Sequence, residues 1–370
     1  SQSHEPPARR PGNFAPAPPG DKNPRISTMS NPFAEKSGPP EVENQRPVGI
    51  SPRGCCLPPL LADADGRPIK TLEAWEARRG QIRRTWLEML GPFSAAPRRT
   101  PAIEPVVEDR VGSVTRQLVR YRVEPGQSAE AYLLMPAESR WPAPGIVVFH
   151  STVDQSIEEP AGVDGPSPKA LGLTLAEQGF VAFCPRNFLW RDTRTLAMRW
   201  QTFKFRCRHP RSKGMAKMLH DAQLAVNILA GLPQVDSARI GAVGHSLGAK
   251  QALYLAAFDR RVRVAAANEG GIGVRFSNWD APWYLGRQVR RPGFGHDHHE
   301  LLALMAPRAF LLLGGDGYDG AQSQPFIEAA LPVYRLYGSP GRLALYNHGR
   351  GHSFPPEAAA RISQWLQAHA

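Results

Sequence analysis

Ile240-Gly241-Ala242-Val243-Gly244-His245-Ser246-Leu247-Gly248-Ala249-Lys250 decides the fold. Residues 240–243 are short and apolar, as a buried strand requires, and from Leu247 to about Phe258 good helix formers take over. Between them Gly244-His245-Ser246-Leu247-Gly248 puts a serine at the turn, with a small residue two positions away on either side. A turn this tight holds its serine in a strained backbone state and leaves no room for larger neighbours. It lifts the hydroxyl above the sheet edge. It also aims the Leu247 N–H and the helix N-terminus at the oxygen that becomes negative when a carbonyl is attacked. Ser246 is therefore the candidate nucleophile and Leu247 a candidate oxyanion donor.

Working outward, short buried runs alternate with helical segments. Strands are expected at 146–149, 181–184, 240–243, 262–267, 309–313 and 343–346. Helices are expected at 168–178, 215–229, 247–258 and 357–370. Ahead of them, Thr71 is placed to cap a helix running to about Leu90, with Trp75, Ile82, Trp86 and Leu90 on one face. Alternation over 116–123, the turn Glu124-Pro125-Gly126 and the run 131–135 read as an antiparallel hairpin. Strand and helix in alternation imply a mostly parallel central sheet with helices on both faces. This α/β domain is expected over 69–370, preceded by a Pro-rich tail over 1–68.

A serine hydroxyl needs a neighbouring base. His352, in Gly351-His352-Ser353-Phe354-Pro355, lies between the last strand and the last helix and is preferred to His348, which is left to orient the loop. For the acid that holds the base, the loop after 309–313 offers Asp319 and Asp316. Asp319 is preferred because it lies several residues beyond the strand, and Asp316 suits a turn. The second oxyanion donor is expected from the backbone of Ser151 or Thr152, after the strand that ends at Phe149-His150. His150 itself is expected to be buried and hydrogen-bonded.

The order Ser246, Asp319, His352 is that of the α/β-hydrolases. The chain resembles their dienelactone hydrolase and acetyl xylan esterase branch, including glucuronoyl-esterase-like proteins. The resemblance is carried by Trp75 and Arg79 in the entry helix and by 144–150, 175–185, 241–250 and 351–355, and it spans roughly 72–365. It departs after Pro185, where Arg186-Asn187 stands in place of the frequent Pro-Asp. The resemblance implies a serine esterase working through an acyl-enzyme, with no cofactor. It also implies a second candidate acid, since in glucuronoyl esterases the carboxylate can end the strand after the nucleophile helix. That position here is Glu269.

Net charge is +12 over 370 residues. Nine cations between Arg191 and Lys217 face Asp192 alone, with Phe188, Trp190, Trp200, Phe203 and Phe205 interleaved. Nucleic-acid binders use such mixtures, but no reader motif accompanies this one, so no nucleic-acid partner is expected. With Trp190, Arg186, Trp279 and Trp283 as candidate substrate contacts, the segment points instead to an acidic or glycan-linked ester, such as a uronate ester. A lactone or dienelactone-type hydrolase or a serine peptidase of the same fold is the alternative, and a non-catalytic or nucleic-acid-binding basic module the alternative of another class.

Fourteen of the 37 prolines fall within the first 60 residues, among few large apolar side chains. No run of about 18 apolar residues exists for a membrane span. The start at Ser1 shows no signal-peptide pattern, so cytoplasmic and exported locations stay open. Cys55, Cys56, Cys184 and Cys207 lack zinc-site spacing and are expected as free thiols. His296-Asp297-His298-His299-Glu300 is expected to start a helix, with no metal bound.

Overall fold

A computed structural model of the chain describes residues 57–370 except 98, 138–140, 166 and 191–196. Most of the expected tail, Cys55, Cys56, Arg191, Asp192 and Arg194 therefore lie outside the described residues. The stretch 57–68 does not behave as tail: Leu60 is buried, Ala62 bridges Pro68, and the His299 ring donates to the Pro58 carbonyl at 3.0 Å. Leu60, with the partly buried Leu57 and Leu61 beside it, gives this short piece enough apolar surface to dock.

The sheet has nine strands among the described residues. Three antiparallel strands, β1 (Ile103–Val111), β2 (Val114–Glu124) and β3 (Gln127–Pro136), lead in. Six more follow: β4 (Ala143–Phe149), β5 (Val181–Pro185), β6 (Val235–His245), β7 (Val262–Asn268), β8 (Ala309–Gly314) and β9 (Leu343–Asn347). Their spatial order is β1-β2-β3-β5-β4-β6-β7-β8-β9, and β5 through β9 are mutually parallel. The period of two is visible in β4, where Val147 and Phe149 enter one core while Ile146 and Val148 enter the other. Helices fill both faces.

One face carries α1 (Leu72–Leu90), α5 (Gly214–Gly231), α6 (Leu247–Phe258), α7 (His299–Met305) and α8 (Gln324–Leu336). The other carries α3 (Leu171–Glu177) and α9 (Pro356–His369). Two further helices, α2 (Glu158–Ala161) and α4 (Met198–Arg208), lie in the connections after β4 and β5. Thr71 caps α1 by accepting from the Ala74 amide at 3.2 Å, a contact worth about 1 kcal/mol. Trp75, Ile82, Trp86 and Leu90 are buried together, as their spacing predicts. Arg79 shares that face because its guanidinium reaches the Leu304 carbonyl at 2.6 Å, and the Trp86 indole donates to Glu300 at 2.6 Å. The first helix is thereby tied to α7.

Candidate active site

The elbow forms because β6 runs straight into α6 with a single residue between them. Ser246 has φ 55° and ψ −113°, a strained state for any residue with a side chain. A Cβ on Gly244 would lie 2.3 Å from the Gly248 backbone, and one on Gly248 would lie 2.4 Å from the Phe149 carbonyl oxygen. The small residues are thus fixed by backbone contact. The Ser246 amide donates to the Asn268 carbonyl at 2.9 Å, which pins the turn to the end of β7.

His352 reaches this serine from the loop before α9. Its Nε2 lies 3.0 Å from Ser246 Oγ, and its Nδ1 lies 3.1 Å from Glu269 Oε2. With the proton on Nδ1, the ring donates to Glu269 and accepts from the serine hydroxyl. The ring is also held from the sides. His245 stacks on it at 5.0 Å, and Tyr318 meets it edge-on at 4.7 Å. His245 in turn is fixed by Asn268, whose side-chain amide lies 2.8 Å from His245 Nδ1 and donates to the Ser353 carbonyl at 2.9 Å. Burial drives the His245 pKa down to about 3, with the nearby His352 adding to the shift, so its imidazole is neutral.

The structure does not bring the preferred acid to the histidine. Glu269, not Asp319, faces His352. Glu269 is buried at φ 54° just past β7, where burial penalises its charge. The His352 contact and the amides of Tyr318, Gly315 and Asp319 outweigh that penalty and hold its carboxyl below the ordinary range. Asp319 is fully buried and turned the other way. It accepts from the Gly271 amide at 2.6 Å, the Ile272 amide at 2.8 Å and the Ser323 hydroxyl at 2.7 Å. Burial raises its pKa, and the nearby Glu269 charge adds to the rise. Asp316, exposed at φ 64°, accepts from Asn347 at 2.8 Å and from the Ala321 amide at 3.2 Å, as a turn residue would. His348 Nδ1 accepts from the Arg350 amide at 3.2 Å and serves its own loop.

Leu247 stands at the first turn of α6, beside Ser246. The Ser151 amide and hydroxyl both donate to Glu159, at 3.2 and 2.6 Å, so Ser151 is engaged away from an oxyanion. Thr152 is the remaining candidate in that loop. His150 is buried against Trp190 and bonded to Asn187 and to the Ser151 carbonyl.

The expected substrate contacts are mostly core. Trp190 and Trp279 are fully buried, and the Trp279 indole donates to the Gly271 carbonyl at 2.7 Å. Arg186 pairs with Glu130 at 3.3 Å. Trp283 is half-buried, and its backbone packs against Gly214 at the start of α5. A large ring next to polar residues reads the same in sequence whether it lines a cleft or seals a core. Lys250, one helical turn beyond Ser246, carried no signal in sequence analysis. It is buried, donates to Ser277 Oγ at 2.8 Å, and sits 3.9 Å over the Trp279 ring. Burial lowers its pKa to about 7 against the opposing pull of Asp319.

The basic segment divides. Lys217 and Arg208, joined by His209, surround the buried Glu124 at 3.1, 3.3 and 2.8 Å. The stretch His296 to Glu300 starts α7 as expected, but its side chains diverge. His296 meets Glu300, His298 lies between the Ile272 carbonyl and the Tyr254 hydroxyl, and His299 turns to Pro58. Cys184 is a buried free thiol and Cys207 an exposed one. No helix among the described residues is long and apolar enough to cross a membrane.

A parallel sheet with a strained serine between strand and helix, and a histidine returning from the loop after the last strand, is the architecture of an α/β-hydrolase. Residues 129–278 match the model of the Dienelactone hydrolase family. Among solved structures the fold is similar to a glucuronoyl esterase from Solibacter usitatus, at 19% identity and TM-score 0.68 over 85% of this chain and 98% of that one. A glucuronoyl esterase from Teredinibacter turnerae is similar at 22% identity and TM-score 0.64, over 84% and 89% of the two chains. A putative acetyl xylan esterase from Bacteroides fragilis follows at 14% identity and TM-score 0.57, over 76% and 78%. No curated protein matches. Family match and fold together support a carboxylic ester hydrolase.

Proposed function

We propose that the protein is a serine esterase in which Ser246, His352 and Glu269 form the catalytic triad. The observation that carries this reading is the unbroken chain from Ser246 Oγ to His352 Nε2 at 3.0 Å and from His352 Nδ1 to Glu269 at 3.1 Å. Ser246 attacks the ester carbonyl while His352 takes the hydroxyl proton. Glu269 fixes the ring tautomer and stabilises the imidazolium that forms. The Leu247 amide, with Thr152 as its partner, stabilises the tetrahedral oxyanion. His352 then returns the proton to the leaving alcohol, and water, activated by the same ring, releases the acid.

For the substrate, we infer a carbohydrate-linked ester of an acidic sugar. Supporting it are the neighbours named as glucuronoyl esterases and the local excess of cations around α4. Labelling by a fluorophosphonate and hydrolysis of 4-nitrophenyl acetate test the triad. Both are expected in the full chain and absent in Ser246→Ala, with an unchanged thermal transition. Retained turnover in that variant overturns the reading. A panel of glucuronoyl, acetyl and feruloyl esters tests the substrate, with kcat/KM expected highest for the glucuronoyl ester.

A further inference from the structure

Arg199 and Arg206 on α4, Lys213 just before α5, and Arg287 and Arg291 in the loop after β7 line one cleft of about 570 Å³. The carboxylate in that lining, Asp280, is paired with Arg290 at 3.1 Å. None of the five cations has an ion-pair partner among the described residues. The four arginines are exposed and Lys213 is half-buried. Their crowding is felt at Lys213, whose pKa is lowered by burial first and then by Arg206 and Arg291. Asp280 also feels Arg287, but one carboxylate among so many cations leaves an excess of like charge that costs free energy, and an anion entering the cleft lowers that cost. The cluster is assembled from two segments about 80 residues apart in sequence, so it is not merely one polar helix face. α4, the N-terminus of α5 and the loop after β7 all lie toward the carboxyl ends of the parallel strands, the side on which Ser246 stands.

From this placement we infer a second, non-catalytic site: the cleft between α4 and the 287–291 loop binds the carboxylates of an acidic oligosaccharide, the chain that bears the ester. The inference rests on the esterase reading for its choice of occupant. Guanidinium forks match planar carboxylates two bonds at a time, and several forks in one cleft favour a ligand with repeated carboxylates over a single anion. A single-stranded nucleic acid would need a row of open ring faces. The exposed aromatics beside the cleft, Trp200 and Phe203, are instead stacked on each other at 5.3 Å, with Lys204 over Trp200.

The test titrates the full chain with hexagalacturonate, neutral xylohexaose and a hexamer of oligothymidylate at low and moderate salt. Hexagalacturonate is expected to bind at least tenfold more tightly than xylohexaose, to weaken with salt, and to outcompete oligothymidylate. Arg199→Ala with Arg206→Ala, and separately Arg287→Ala with Arg291→Ala, are expected to lower that affinity tenfold or more. Both pairs should leave 4-nitrophenyl acetate hydrolysis and the melting temperature unchanged. Equal affinity for the neutral sugar, or indifference to both pairs, overturns the site. Tighter binding of oligothymidylate overturns the saccharide occupant. Because these ligands contain no ester, the result is independent of whether Ser246→Ala abolishes hydrolysis, so the two readings fail separately.

Discussion

Glu269 and Asp319 are two buried carboxylates at the ends of adjacent parallel strands, and they exchange supports. The loop after β8 gives Glu269 the amides of Gly315, Tyr318 and Asp319, and the loop after β7 gives Asp319 the amides of Gly271 and Ile272. Each is surrounded by donors, yet one has a lowered pKa and the other a raised one. Burial and company make the difference: burial and the neighbouring Glu269 charge raise Asp319, whereas at Glu269 burial is outweighed by the His352 contact and three amides. Glu269 meets an imidazole that can carry positive charge, while Asp319 meets a neutral hydroxyl. On the proposed mechanism the carboxylate beside the histidine assists proton transfer, while the one facing away knits the two loops together.

The largest expected effect separates the two acids directly. Glu269→Gln keeps the shape but not the charge, and kcat/KM for an activated ester should fall roughly ten-thousand-fold, or about 5 kcal/mol. Steady-state kinetics with a parallel melting curve checks it. A loss under tenfold in a folded variant would return the orienting role to the β8 loop.

Glu124 offers a third buried carboxylate with no place in the chemistry. Burial works against its charge, but Lys217, His209 and Arg208 bring its pKa from 4.5 down to about 2. A depressed acid contributes stability that is present above its unfolded pKa and lost as pH falls through its folded one. Unfolding free energy should therefore decline between about pH 4.5 and pH 2, by on the order of 3 kcal/mol from this group. Denaturant titrations across that range on the parent and Glu124→Gln report it, and the variant should show the shallower decline.

Asp319→Asn should cost stability more than catalysis. One oxygen that served a buried amide becomes a donor, worth about 2 kcal/mol in unfolding, while kcat/KM drops less than tenfold. Loss of activity without loss of stability would make the two acids partners in catalysis. The smallest effect is expected at Asp316→Asn, since asparagine tolerates positive φ and keeps the turn. A change beyond twofold in kcat/KM there would mean that the outer turn reports on the site.

How far the sequence carried the reading follows from which contacts are local. The elbow is encoded within five residues, so Ser246, its two glycines and the flanking strand and helix are legible. His352 is legible because the loop before the last helix has a fixed place in a parallel sheet. The choice between Glu269 and Asp319 depends on which strand end faces that loop in three dimensions, and spacing along the chain does not contain it. Preference for an acid several residues beyond its strand leads to Asp319, while the family resemblance points to Glu269 as well. The strand β1, exposed along most of its length, lacks the alternation that marked β2. Helix α8 holds Pro332 within its span, a residue that breaks the usual helical pattern. The burial of Trp190 and Trp279 is decided by neighbours far away in sequence, which is why sequence does not separate a core ring from a cleft ring.

The seating of α1 bears on how the molecule is made. Its buried face is closed by residues more than 200 positions downstream, through Arg79 to Leu304 and Trp86 to Glu300. As the chain emerges from a ribosome, α1 precedes its partner α7 by roughly 200 residues. Until α7 follows, Trp86 has Tyr254 of α6 beside it but lacks its Glu300 partner, and contacts spanning such distances are slow to form. Chains terminated before residue 299 should accordingly leave the α7-facing side of this helix exposed.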